Sequence, residues 1–227
     1  MNVGRCAAEH GLNPFVVPVL LTPLDSCHNG SNPPGKDIRG SAKGAGHDAN
    51  ADVQKSGFDT FKSGELFKIF EVGFDTGLVA REPGRPPGGS VHVSLWHQDK
   101  RDEAGIDDGR GVGVSAVQRF GRFTPFARYG YADVNARGPT PAKHMANAGL
   151  VVDGIFGQDK DRIGVGYTWS DPADRALNNQ SEIDAYYRVQ LTPEIQVGPT
   201  FSVIFDPVRN PDKDRITVWG FRTRLAL

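Results

Sequence analysis

The sequence predicts an all-β fold, the antiparallel wall of a transmembrane β-barrel, on three observations. First, 162–205 alternates with a period of two. Ile163, Val165, Tyr167 and Trp169 occupy odd positions against Arg162, Gly164, Gly166, Thr168 and Ser170. Ile183, Ala185, Tyr187, Val189 and Leu191 do the same against Glu182, Asp184, Tyr186, Arg188 and Gln190. After the Thr192-Pro193-Glu194 turn, Ile195, Val197, Phe201, Val203 and Phe205 oppose Gln196, Gly198, Thr200 and Ser202. This is the side-chain period of a β-strand with one apolar and one wet face. Second, each run is about ten residues long, enough for a tilted strand to span a bilayer, whereas soluble strands peak near five or six. Third, short and long links alternate, as expected when one barrel rim carries tight turns and the other carries loops.

Residues 1–60 show little regular pattern and are expected to be irregular and loop-rich, with the barrel region over 61–227. Within the first segment, 27–51 is rich in Gly, Asn, Asp, Ser and Pro, which is loop composition. Nine strands are then expected, near 65–74, 90–97, 110–119, 122–132, 145–156, 161–170, 181–191, 194–205 and 214–226. The links 120–122, 157–160 and 192–193 are short, and 98–108, 133–144, 171–180 and 206–213 are long. The link 75–89 is long where the phase asks for a short turn. Bacterial single-chain barrels have an even number of strands, so one more should precede the first. Residues 13–24 are the only candidate, weakened by Pro18 and Pro23. Pro199 inside the eighth strand is tolerable at a bulge or a rim.

Composition permits this reading. The 227 residues are 38% hydrophobic with a mean hydropathy of −0.41, because a barrel strand needs only half of its residues to be apolar. No apolar run approaches the roughly 18 residues of a transmembrane helix. A net charge of −1 gives no reason to expect nucleic acid. Met1 to His10 supplies no charged, apolar and small-residue sequence of a signal peptide, so the chain reads as a fragment of an exported protein or as a gene without its start. Cys6 and Cys27 could pair in an oxidising periplasm, or be incidental.

Enzyme signals are absent or explained otherwise. Gly111-Val-Gly113-Val-Ser-Ala116 has the letters of a dinucleotide fingerprint but continues as strand instead of opening a helix. No G-x-S-x-G elbow and no H-E-x-x-H pair occurs. His92 and His97, five apart, fall on opposite strand faces and cannot share a metal. Glu182 and Asp184 share a face and could mimic a glycosidase pair, but a wet barrel lumen explains them more simply. Neither a catalytic residue nor a metal or cofactor is expected.

Several segments together resemble the carbohydrate-selective OprB-type porins. They are Asp48-Ala-Asn-Ala-Asp52 with Ser56-Gly-Phe-Asp-Thr-Phe61, Val93-Ser-Leu-Trp-His-Gln-Asp99 with Arg101-Asp102, and Gly164-Val-Gly-Tyr-Thr-Trp169. Tyr186-Tyr-Arg-Val-Gln-Leu-Thr-Pro193, Phe205-Asp-Pro207 through Asn210-Pro-Asp212, and Trp219-Gly-Phe-Arg-Thr-Arg-Leu225 complete the resemblance, which runs in order from about 46 to 227. It implies a passive outer-membrane pore of a Gram-negative bacterium for sugars and other small polar solutes, embedded in lipid and open to homo-oligomer formation. The chain would supply roughly the carboxyl-terminal half of a barrel of about sixteen strands. Leu227 departs from the aromatic residue that usually ends such proteins. A soluble sugar-binding β-sandwich, a lectin-like module, is the alternative.

In a diffusion pore the working side chains face the lumen. By strand parity these are Arg128, Arg162, Glu182, Asp184, Tyr186, Arg188, Arg222 and Arg224, with Trp96 if parity turns it inward. Arg, Glu and Asp can replace the water on a sugar's hydroxyls with directional hydrogen bonds. Tyr167, Trp169, Tyr187 and Trp219 fall on the outward face, where rings favour the headgroup level.

Overall fold

The computed structural model describes residues 40–49, 64–76, 88–155, 158–192 and 194–225. Cys6, Cys27 and the strand expected over 13–24 lie outside them. The described residues form ten antiparallel strands: β1 (Gly40–Asp48), β2 (Leu66–Asp75), β3 (Gly89–Gln98), β4 (Gly109–Gln118), β5 (Phe123–Asp133), β6 (Ala142–Ile155), β7 (Gln158–Pro172), β8 (Gln180–Gln190), β9 (Ile195–Phe205) and β10 (Arg215–Leu225). They make one sheet in sequence order, every strand paired with its neighbours in the chain. β2 to β10 match the nine expected strands to within three residues.

The tenth strand corrects the reading of 27–51 as loop. Gly40–Asp48 pairs with Leu66–Asp75 over its whole length, and Lys43 stands opposite Glu71. Its outward positions, Ala42, Gly44 and Gly46, are too small to show an apolar alternation. Their neighbours fill the space: a Cβ on Gly40 would meet the Phe74 ring at 3.5 Å, and one on Gly44 would lie 4.0 Å from Phe70.

One face of this sheet is apolar and uncovered. Among the described residues Ala132 is the single buried hydrophobic side chain, so the sheet has no core of the kind that holds a soluble domain together. Phe70, Leu95, Val114, Val165, Tyr167, Ile183 and Phe221 instead stand exposed, and the register puts them all on the same side. Water would penalise such a surface at about 25 cal/mol per Å², whereas lipid does not. Tyr167, Trp169, Tyr187 and Trp219 lie on this side, as parity anticipated, and Trp219 packs on Phe201 with ring centroids 4.3 Å apart.

The links set two unlike rims. β4–β5, β6–β7 and β8–β9 are joined by short turns, whereas β3–β4, β5–β6, β7–β8 and β9–β10 are joined by long loops. Most of the long β2–β3 link, the exception to the alternation, falls outside the described residues. At the long-loop rim, Asp99 ties β3 back to β2. It accepts from the Leu66 amide at 3.0 Å and from Lys68 Nζ at 3.0 and 3.1 Å. The Lys68 hydrogen bond, followed by the Leu66 amide, holds the Asp99 carboxyl below its ordinary value. A depressed carboxylate contributes stability above its unfolded pKa and loses it as pH falls through the folded value. Hydrogen-exchange protection of the Leu66 amide should therefore fall as pH drops below about 4, and Asp99→Asn should remove that dependence. Protection that stays constant to pH 2 in the unaltered chain would refute this role for Asp99.

Candidate pore-lining face

The opposite face carries the polar residues. Each strand brings alternate side chains to it, and the pairings decide which stand side by side. Crossing from β6 to β10, one row runs Asp153, Arg162, Arg188 and Arg222. Arg188 and Arg222 are separated by Gly198 of β9. The next row toward the long loops is Val151, Gly164, Tyr186, Thr200 and Gly220. Then come Gly149, Gly166, Asp184, Ser202 and Val218. Beyond them lie Arg128, Asn147, Thr168 and Glu182. Trp96, opposite Gly111, belongs to this face as well. All nine residues singled out by parity thus share one side of the sheet.

Charge is sorted along the strands. Glu182 and Asp184 sit near the long-loop end of β8, whereas Arg188 sits near its short-turn end. Arg162, Arg222 and Arg224 also lie toward the short-turn rim. Six residues separate Glu182 from Arg188, about 20 Å at the rise of an antiparallel strand. Along β8 to β10 a solute meets carboxylates first and guanidinium groups later, or the reverse, whereas Arg128 shares the Glu182 row and Asp153 the Arg162 row.

Contacts hold these groups in place. Arg162 Nε donates to Asp153 Oδ1 at 2.6 Å. The Arg188 guanidinium lies 4.7 Å from the centroid of the Tyr186 ring, a cation–π contact. Ser202 donates to Asp184, and Asn147 donates to Thr168 Oγ1 at 2.7 Å. Large rings take the space beside glycines of the neighbouring strand: Tyr186 at Gly164, Trp96 at Gly111 and Phe126 at Gly149. The glycines let bulky rings lie against the wall without projecting far from it.

Lys43, Glu71, His92, Asn147 and Asp153 share this face although sequence reasoning did not select them. His92 Nδ1 is 3.2 Å from Glu71 Oε1. Asp153 was readable, since Ala146, Ala148, Leu150 and Val152 alternate with Met145, Asn147, Gly149, Val151 and Asp153. Glu71 was not: Phe67 and Ile69 on its own face match Phe70 and Val72 on the other. His92 and His97 fall on opposite faces as their spacing required, His97 turning to Asp99 at 3.3 Å. Gly111 to Ala116 lies inside β4, so the fingerprint letters belong to a strand.

A ten-stranded antiparallel sheet with a continuous apolar face and a charged, glycine-lined polar face has the anatomy of a porin wall. Residues 101–227 match the carbohydrate-selective porin, OprB family, and the chain belongs to that family. A high-pH structure of Pseudomonas putida OprB shares the fold, with a TM-score of 0.64 at 16% identity, covering 82% of this chain and 55% of that one. The chain thus spans about half the length of that porin. No curated protein matches it.

Proposed function

We propose that the chain forms part of the wall of a passive outer-membrane pore, admitting carbohydrates and other small polar solutes without cofactor or catalysis. Its apolar face meets outer-membrane lipid of a Gram-negative bacterium. Arg128, Arg162, Glu182, Asp184, Tyr186, Arg188, Arg222, Arg224 and Trp96 line the aqueous side. The observation that carries this reading is the register: ten strands in sequence keep all nine side chains on one face and the exposed apolar residues on the other. The edges of the sheet, β1 and β10, are not paired with each other among the described residues. With the 55% coverage of the solved porin, that supports a share of a larger barrel. The soluble sandwich loses its ground, because among the described residues no second sheet covers the apolar face.

Swelling of liposomes containing the refolded chain, in a series of sugars of increasing size, tests the pore. Swelling should fall steeply with solute size, and the folded chain should run faster on a gel before heating than after. Swelling no greater than in protein-free liposomes, for every sugar, would remove the function from this chain. Arg128, between Ser115 and Asn147 in its row, supplies a second test. Arg128→Glu changes the local charge by two and should raise the cation-to-anion permeability ratio about two- to threefold at low salt. A reversal potential unchanged from the unaltered chain would take Arg128 out of the pore lining.

A further inference from the structure

The row nearest the short turns is crowded with like charge. Arg162 and Arg188 are direct cross-strand partners. Arg222 comes next but one, and Arg188 lies within electrostatic reach of both. Among the described residues the carboxylate paired with this row is Asp153, held by Arg162. Arg188 rests on the Tyr186 ring, which orients it without neutralising it.

Between Arg188 and Arg222 the wall has no side chain. Gly198 stands there, buried, and a Cβ on it would run into the Tyr187 carbonyl group, whose carbon lies 2.8 Å away, so the backbones of β8 and β9 close on each other here. The β8–β9 pairing also skips here, passing from Tyr186–Thr200 to Val189–Val197. Pro199 accounts for the gap, having no N–H to give. The row therefore carries three guanidinium groups, Arg188 and Arg222 with no side chain between them and Arg162 beyond Arg188.

We propose that this arginine row is a subsite for the anionic group of a sugar derivative, the carboxylate of a sugar acid or the phosphate of a sugar phosphate. Guanidinium forks suit both groups, whose planar or tetrahedral oxygens accept paired N–H bonds. The sugar ring would extend toward Tyr186 and Thr200, the next row, where hydroxyls meet polar partners. This deepens the pore reading and rests on it for the route by which the solute arrives, but binding itself needs only the folded sheet.

The test is calorimetric titration of the full chain, folded in detergent at low salt, with glucuronate, glucose and acetate. Glucuronate should bind at least about tenfold more tightly than glucose or acetate, from one or two charge-assisted hydrogen bonds, and weaken as salt is raised. Arg188→Gln with Arg222→Gln should lose that tenfold preference. Arg175→Gln, the same charge change in the β7–β8 loop, should keep it. Glucuronate binding no tighter than glucose, or than acetate, in the unaltered chain would overturn the proposal without any variant. A preference retained by the folded double variant would overturn it too. Conductance of the same preparation in planar bilayers is read separately. A chain that prefers glucuronate without conducting keeps the subsite and loses the pore, and one that conducts without the preference does the reverse.

Discussion

Val165→Arg is expected to destabilise the folded chain in a bilayer by about 2–4 kcal/mol, the cost of an arginine on the lipid face near the midplane. Val165 lies midway along β7, between Leu150 and Ala185, and is 49% exposed on the apolar side. Such a cost shifts the folded-to-unfolded ratio by about 30- to 1,000-fold. Thr168→Arg, three residues on, turns to the polar face between Asn147 and Glu182 and should change stability by about 0.5 kcal/mol or less. Urea unfolding in lipid vesicles, followed by tryptophan fluorescence, measures both. Equal losses would mean that the two faces do not meet different solvents, and the membrane reading would fall with them.

Gly164→Val is expected to destabilise the wall from its polar face. Valine suits a strand backbone, an advantage of up to about 1 kcal/mol. Here its Cβ would sit 2.5 Å from Tyr186 Cζ and 2.8 Å from Tyr186 Oη, and such overpacking costs about 1–3 kcal/mol. Sterics should win. The ring must leave the wall, which also withdraws the surface on which Arg188 rests. Two effects are expected together: a lower urea midpoint, and a smaller unit conductance as the phenol swings into the lumen. Adding Tyr186→Ala should restore most of the lost stability, because the clash needs both partners. If the double variant is no more stable than Gly164→Val alone, the valine acts through the backbone and the ring contact is irrelevant.

Much of the wall was legible because a strand with lipid on one side and water on the other writes its own alternation. The runs through Tyr167, Tyr187 and Val203 gave the strands and their faces, and the lengths of the links gave the two rims. β1 was illegible for a physical reason. Its outward side chains are alanine and glycine, and the apolar surface there is supplied by Phe70 and Phe74 of β2, which only the pairing reveals. Parity could assign Arg162, Arg188 and Arg222 to one face but not to one row. A row depends on how far each strand is shifted against the next, and a shift of two residues preserves every face while exchanging every neighbour. The place of Gly198 between Arg188 and Arg222 was hidden in the same way, since it too follows only from the register.

Among the described residues, each strand of this sheet bonds only to the strands immediately before and after it in the chain. That simple order governs how the structure can be built. Every contact closes a small loop, so each new hairpin has only a modest entropic barrier to overcome before its hydrogen bonds form. No strand has to wait for a distant segment to find it, as strands in a Greek key must. The wall can therefore grow by accretion, one hairpin at a time, with each completed edge serving as the template for the next. The rate of assembly should then depend more on the exchange of water for lipid than on the search for partners.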